Sequence, residues 1–377
     1  MHCQKKNRIV QLTAPGRSAL AALRVEGPQA VELVEKFFLP QGSLRLRDRT
    51  LGSICFGHWG REGGEEVILS RSHSNAVEIH CHGGAISRNL LRESLLAVGC
   101  EEITWDHWLA DQHPDPIEAA ALRAVAGAKS QRTAMILLDQ AQGALRAAID
   151  GVSLLLRQHE VSAACAALEG LLATAPLGLH LVCGWRVVLA GGANVGKSSL
   201  INALVGYQRA IVYDQPGTTR DALVANIALE GWPIELIDTA GLGSTSDSLE
   251  LAGMQETTAI LPEADLVILV FDASRQWSAA EDRLVQSWPA ALRVHNKCDL
   301  EGAPRGQRPT GVESSALAPG GVKQLSEQIV QRLVGEPPTP YAAVPFDSAQ
   351  ISALKDARSL VGNDVSRTLK RLSEPPF

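Results

Sequence analysis

Gly191-Gly-Ala-Asn-Val-Gly-Lys-Ser198 fits G-x-x-x-x-G-K-[ST], and its flanks separate a phosphate cradle from an ordinary glycine-rich turn. The run before it, Trp185-Arg-Val-Val-Leu-Ala190, is short, β-branched and apolar, and 198–205 reads as a helix. The loop therefore lies between a strand and a helix N-terminus. There the glycines let backbone N–H groups turn around phosphate oxygens, and the helix dipole favours negative charge. Gly191, Asn194, Val195, Gly196 and Ser199 belong to this cradle. Lys197 is placed to reach β- and γ-phosphates, and the Ser198 hydroxyl to ligate magnesium.

Four further segments follow in order. Asp238-Thr-Ala-Gly241 comes after the strand-like Ile234-Glu-Leu-Ile237, so Asp238 stands at a strand end suited to the magnesium shell. Thr239 and Ala240 belong to the same nucleotide-binding segment, and the Gly241 N–H stands where a γ-phosphate is sensed. In the turn-rich stretch before Asp221, Thr218 or Thr219 offers a second magnesium hydroxyl, with Thr219 the expected ligand. Asn296-Lys-Cys-Asp299 follows another strand-like run, 291–295. An Asp299 carboxylate accepts both guanine N1–H and N2–H, a pairing adenine does not offer, while the Lys297 stem covers the base. Ser315 and Ala316 close the base pocket through backbone N–H groups. Singly each segment is a turn; as an ordered set they imply a GTP-binding Ras-like α/β domain.

Composition bounds the rest. A chain of 377 residues with 45% hydrophobic content suits two or three domains with sizeable cores. No stretch approaches ~18 uninterrupted apolar residues, and Met1-His-Cys-Gln-Lys-Lys-Asn-Arg8 lacks a signal core, so a cytoplasmic protein with no membrane partner is expected. Seven scattered cysteines without a C-x-x-C pair indicate neither zinc nor a disulfide framework. A net charge of −6 gives no global pull toward nucleic acid.

Periodicity divides the chain into four segments. Residues 1–108 alternate strand-like runs (8–12, 20–25, 53–59, 65–70, 76–81) with helical ones (28–38, 86–98), which reads as an α+β domain. Residues 109–182 are Ala- and Leu-rich helical-bundle material. The nucleotide domain takes 183–335, followed by the stiff Gly335-Glu-Pro-Pro-Thr-Pro340. In 336–377, the stretch 347–372 reads as one helix with Ile351, Leu354, Ala357, Leu360 and Val361 on one face. The fold class expected is multidomain α/β, with the P-loop GTPase domain inserted into an α-helical one.

Over nearly its whole length the chain resembles the tRNA-modification GTPase family MnmE, also called TrmE. The resemblance is carried by Ala14-Pro-Gly-Arg17 leading to Leu23-Arg-Val25, by Val77-Glu-Ile-His-Cys-His-Gly-Gly84, and by Pro216-Gly-Thr-Thr-Arg-Asp221 with the motifs above. It implies that the N-terminal domain is folate-binding-like, dimerises, and takes 5-formyl-tetrahydrofolate at positions matched by Arg24 and Glu78. It also implies a flavoprotein partner resembling MnmG and a carbon-5 substituent installed on the wobble uridine of tRNA. Read as residues alone, Arg24 and Glu78 equally suit surface strand positions.

The same resemblance bears on hydrolysis. The position after Gly241, where Ras-like enzymes carry a glutamine, is Leu242, which cannot hold water. The family uses a glutamate further along, matched here by Glu250; a carboxylate there also suits a helix N-terminus. Potassium replaces the arginine finger, held partly by the residue matching Asn194, which equally suits a loop cap. Two departures stand out. Residues 101–113 are shorter than the family segment and place His113 at a folate-contacting lysine position, and the family's terminal Cys-x-Gly-Lys has no counterpart before Phe377. A shortened, diverged member is therefore expected, with a GTP-dependent binding switch for an RNA or protein partner as the alternative.

Overall fold

The computed structural model describes residues 6–16, 18–207, 223–238, 264–300 and 308–377. Its contacts divide the chain into two units, Met1–Pro114 and Asp115–Phe377.

The first unit runs β1 (Arg8–Gln11), β2 (Leu20–Glu26), α1 (Ala30–Glu35), β3 (Phe38–Pro40), β4 (Ile54–Trp59), β5 (Glu65–His73), β6 (Ala76–His82), α2 (Ala85–Ala97), β7 (Glu101–Glu102) and α3 (Trp105–Gln112). The strands form one sheet, ordered β3-β4-β5-β6-β2-β1-β7. Alternation along each strand sends one set of side chains inward. Leu23 of β2 stands opposite Ile79 of β6, and Val25 opposite Val77, all in a core with Leu91 and Leu95 of α2. Burying each such side chain is worth about 1.5–3 kcal/mol.

The helix predicted over 28–38 stops at Glu35, because Phe38 pairs with Trp59 as an edge strand and packs into the core. A helix the sequence reading passed over, α3, starts at Thr104, whose side chain accepts the His107 N–H as its N-cap.

The second unit opens with α4 (Pro116–Gly127), α5 (Gln131–Ala141), α6 (Ala144–Arg157) and α7 (Val161–Cys183). Asp115 and Ser130 cap α4 and α5, and left-handed Gly143 (φ 100°) turns the chain into α6. By length and composition α7 could cross a membrane, with a mean hydropathy of 1.5 over its most apolar window, which the sequence reading did not anticipate. Glu169 and His180 interrupt it, and it lays Leu168, Leu171 and Leu181 into the core of this unit.

Next come β8 (Trp185–Ala190), α8 (Lys197–Tyr207), β9 (Leu223–Leu229), β10 (Trp232–Asp238), β11 (Leu266–Asp272), α9 (Ala279–Ser287), β12 (Leu292–Asn296), β13 (Val312–Glu313) and α10 (Lys323–Leu333). Their sheet has the order β13-β12-β11-β8-β10-β9, parallel except for β9. Central parallel strands are buried on both faces, hence the near-continuous apolar runs of β8 and β11. This sheet brings the ends of β8, β10, β11 and β12 to one edge, where the first sequence motifs stand.

The stretch 347–372 is two helices, α11 (Ser348–Leu360) and α12 (Val365–Ser373). The Asp364 side chain caps α12 by accepting the Arg367 N–H, so a single helix does not continue and Leu360 is only half-buried. The chain after α10 returns to the helices that precede the sheet. Gln140 of α5, fully buried, donates to the Ala342 carbonyl and accepts the Val344 N–H, at 3.0 and 3.1 Å.

Candidate nucleotide site

The loop joining β8 to α8 is shaped by close approach. At Gly191 (φ 151°) a Cβ would lie 2.3 Å from the Val270 carbonyl of β11, and at Gly196 (φ 95°) 2.4 Å from the Asn296 Nδ2. Only glycine fits either place. Between them Asn194 adopts the left-handed conformation (φ 62°) with its side chain exposed, while Val195 tucks into the core. Ser199 lies exposed on the first turn of α8.

Lys197 is buried and donates to the Gly191 and Gly192 carbonyls at 2.9 and 3.0 Å. Burial holds its pKa below the usual lysine value, partly opposed by the charge of Asp238. Ser198 Oγ donates to Asp238 Oδ2 at 2.5 Å, and Asp238 is fully buried at the end of β10. A hydroxyl and a carboxylate oxygen this close are the hard donors a magnesium ion takes when phosphate and water complete its shell. Among the described residues no group of three or more His, Cys, Asp or Glu is placed to hold a metal by itself.

The segment after β12 clasps the loop from the other side. Asn296 Nδ2 donates to the Val195 carbonyl at 3.0 Å, and Lys297 Nζ donates to the Asn194 carbonyl at 2.7 Å. Lys297 is itself left-handed (φ 66°), and Asp299 stands exposed two residues on. Ser315 and Ala316 follow β13; the Ser315 N–H is taken by the Gly321 carbonyl at 3.1 Å, and its hydroxyl accepts from the Leu317 and Ala318 amides. Thr219, Thr239, Ala240, Gly241 and Glu250 lie outside the described residues.

In the first unit Arg24 and Glu78 are cross-strand partners, with Arg24 Nη1 donating to Glu78 Oε1 at 2.8 Å and to Ser72 Oγ at 3.1 Å. The sequence reading missed the rest of this cluster. Glu26 accepts from Arg8, Arg24 and the Trp108 indole of α3, and the Arg24 guanidinium stands 5.7 Å from the Trp108 ring centre. Burial would raise the Glu26 pKa, but those hydrogen bonds hold it below the usual carboxylate range. Two-residue spacing on β2 is the signal that puts Glu26 beside Arg24. His113, at the end of α3, donates its backbone N–H to Leu109.

Residues 186–297 match a family model described as 50S ribosome-binding GTPase. The tRNA modification GTPase MnmE of Chloroflexus aurantiacus is 33% identical over 86% of this chain and 80% of its own length. The chain belongs to the MnmE family. The corresponding protein of Synechococcus sp. strain WH7803 is 32% identical with the same coverage, and that of Shouchella clausii 31% identical over 84% of this chain. Membership makes the chain a GTP-binding enzyme that hydrolyses GTP, in a family whose members are named for tRNA modification. Coverage of 86% of this chain carries the likeness to MnmE relatives well beyond residues 186–297, into both units.

Proposed function

We propose that this chain is a magnesium-dependent, potassium-stimulated GTPase serving wobble-uridine modification of tRNA in the cytoplasm, as a homodimer with an MnmG-like flavoprotein. The observation that carries the reading is likeness to MnmE proteins across both units, not in the nucleotide domain alone. In this reading 1–108 is the folate-binding-like, dimerising domain, with Arg24 and Glu78 facing 5-formyl-tetrahydrofolate. Segments 109–182 and 336–377 form one helical domain, interrupted by the GTPase domain 183–335.

Lys197 neutralises β- and γ-phosphate oxygens, and the N–H groups of 191–199 receive the rest of the triphosphate. Ser198, Thr219 and Asp238 hold magnesium, which when bound offsets charge building on the phosphate oxygens. Thr239, Ala240 and Gly241 face the γ-phosphate, and Asn296, Lys297, Asp299, Ser315 and Ala316 surround the base. Glu250 orients the attacking water.

Nucleoside mass spectrometry of tRNA from a deletion strain tests the reading. Loss of the modified wobble uridine, restored by the intact gene, is expected. Normal levels would leave a GTP-dependent binding switch in its place.

Potassium carries a separate expectation. A cation held by Asn194 beside the phosphates does the work of an arginine finger, worth about 10³ to 10⁵ in rate. Sodium is smaller and coordinates poorly there, so turnover should fall at least about tenfold when it replaces potassium at constant ionic strength. Asn194→Ala should erase the difference. GTP turnover measured in both salts over a range of protein concentrations decides it: equal rates, independent of concentration, would remove both the cation and domain pairing from the mechanism.

A further inference from the structure

Beyond the residues that meet the nucleotide, one buried carboxylate organises them. Asp272 ends β11 opposite Asn296 in the parallel register, and its side chain is only 4% exposed. Its Oδ1 accepts the Ser274 N–H at 2.9 Å and the Ser274 hydroxyl at 2.6 Å. Its Oδ2 accepts Lys297 Nζ at 2.7 Å and faces Arg275 Nε at 3.4 Å. The Lys297 ammonium that it holds is the one that donates to the Asn194 carbonyl.

Asn194 and Lys297 are both left-handed, a conformation non-glycine residues keep only where surroundings hold it. The ammonium ties the two left-handed turns together, and Asp272 fixes the ammonium. Buried charges persist only when paired and hydrogen-bonded, and here each oxygen has its partners.

We infer that Asp272 is a positioning residue for nucleotide binding, acting through Lys297 to lock the base-recognition segment onto the phosphate loop. This rests on the reading of the guanine site proposed above, in which the Lys297 stem covers the base. A lysine free to leave the loop would cover the base less of the time, and bound nucleotide would escape faster.

A double-mutant cycle on the dissociation rate of a fluorescent GDP tests it. Asp272→Asn preserves shape but removes the charge that holds Lys297, and a charge-assisted hydrogen bond lost from a buried site should raise the rate about ten- to hundredfold. Lys297→Ala should do the same. The double variant should lie within about threefold of Lys297→Ala, because the two residues act as one unit.

If Lys297→Ala leaves dissociation unchanged, the reading of the guanine site fails and the inference with it. If Lys297→Ala accelerates release but Asp272→Asn does not, or the two effects multiply, only the role of Asp272 is overturned. Should Asp272→Asn fail to fold, Ser274→Ala removes one hydroxyl from the same carboxylate. It should raise the rate about two- to tenfold with Lys297 intact and leave it unchanged in the Lys297→Ala background. Equal effects in both backgrounds, or none in either, would refute the proposal.

Discussion

Asp299→Asn is expected to weaken GTP binding by about 10² to 10⁴-fold, because a site built to pair two hydrogen-bond donors rejects a ligand, or a variant, that leaves them unpaired. In the function proposed above, the carboxylate accepts from guanine N1–H and N2–H together. An amide accepts only one and turns its own N–H toward the other. Xanthine carries a carbonyl in place of the exocyclic amine, so the same amide donates there, and affinity for xanthosine nucleotides should rise. The structure provides the platform: Asp299 stands two residues beyond the left-handed Lys297, which follows β12, and the Asn296 and Lys297 side chains donate to the Val195 and Asn194 carbonyls. Titrating fluorescent guanosine and xanthosine diphosphates against both proteins measures the swap. Unchanged GDP affinity in the variant, or equal ATP and GTP affinity in the native protein, would remove Asp299 from base recognition.

What the chain's own order discloses is uneven, and the reason is physical. Motifs tied to local geometry were legible: the strand β8, the glycines that no side chain can replace at 191 and 196, and Asp238 at a strand end all follow from period and turn chemistry. Asp272 was not read, although it too ends an apolar strand and precedes Ala-Ser. Its meaning depends on Lys297, 25 residues on, and only the sheet brings the two within 2.7 Å. Glu26 and Trp108 were missed likewise, because their contact spans 82 residues. The short β3 and β7 leave little periodicity to detect, since edge pairing rather than pattern makes them strands. The break between α11 and α12 was hidden because apolar spacing continues across it; the Asp364 cap, a local side-chain hydrogen bond, overrides that spacing.

Water orientation remains the step on which turnover depends most. The Leu242 side chain supplies no acceptor, a lysine ammonium has none, and in the function proposed above the Ser198 hydroxyl is committed to the metal. In that function Glu250, the residue matched by the family resemblance, would accept a hydrogen bond from the attacking water. Glu250→Ala should therefore cut GTP turnover by about 10² to 10⁴-fold while leaving the affinity for GTP nearly unchanged. A carboxylate that merely faced a helix N-terminus would behave differently: its loss would cost about 0.3–1 kcal/mol of stability and little rate. Single-turnover hydrolysis, GTP affinity and thermal unfolding, measured on the same variant, separate the two roles. A full rate with a lowered unfolding midpoint would assign the residue to the helix end and leave another group to orient the water.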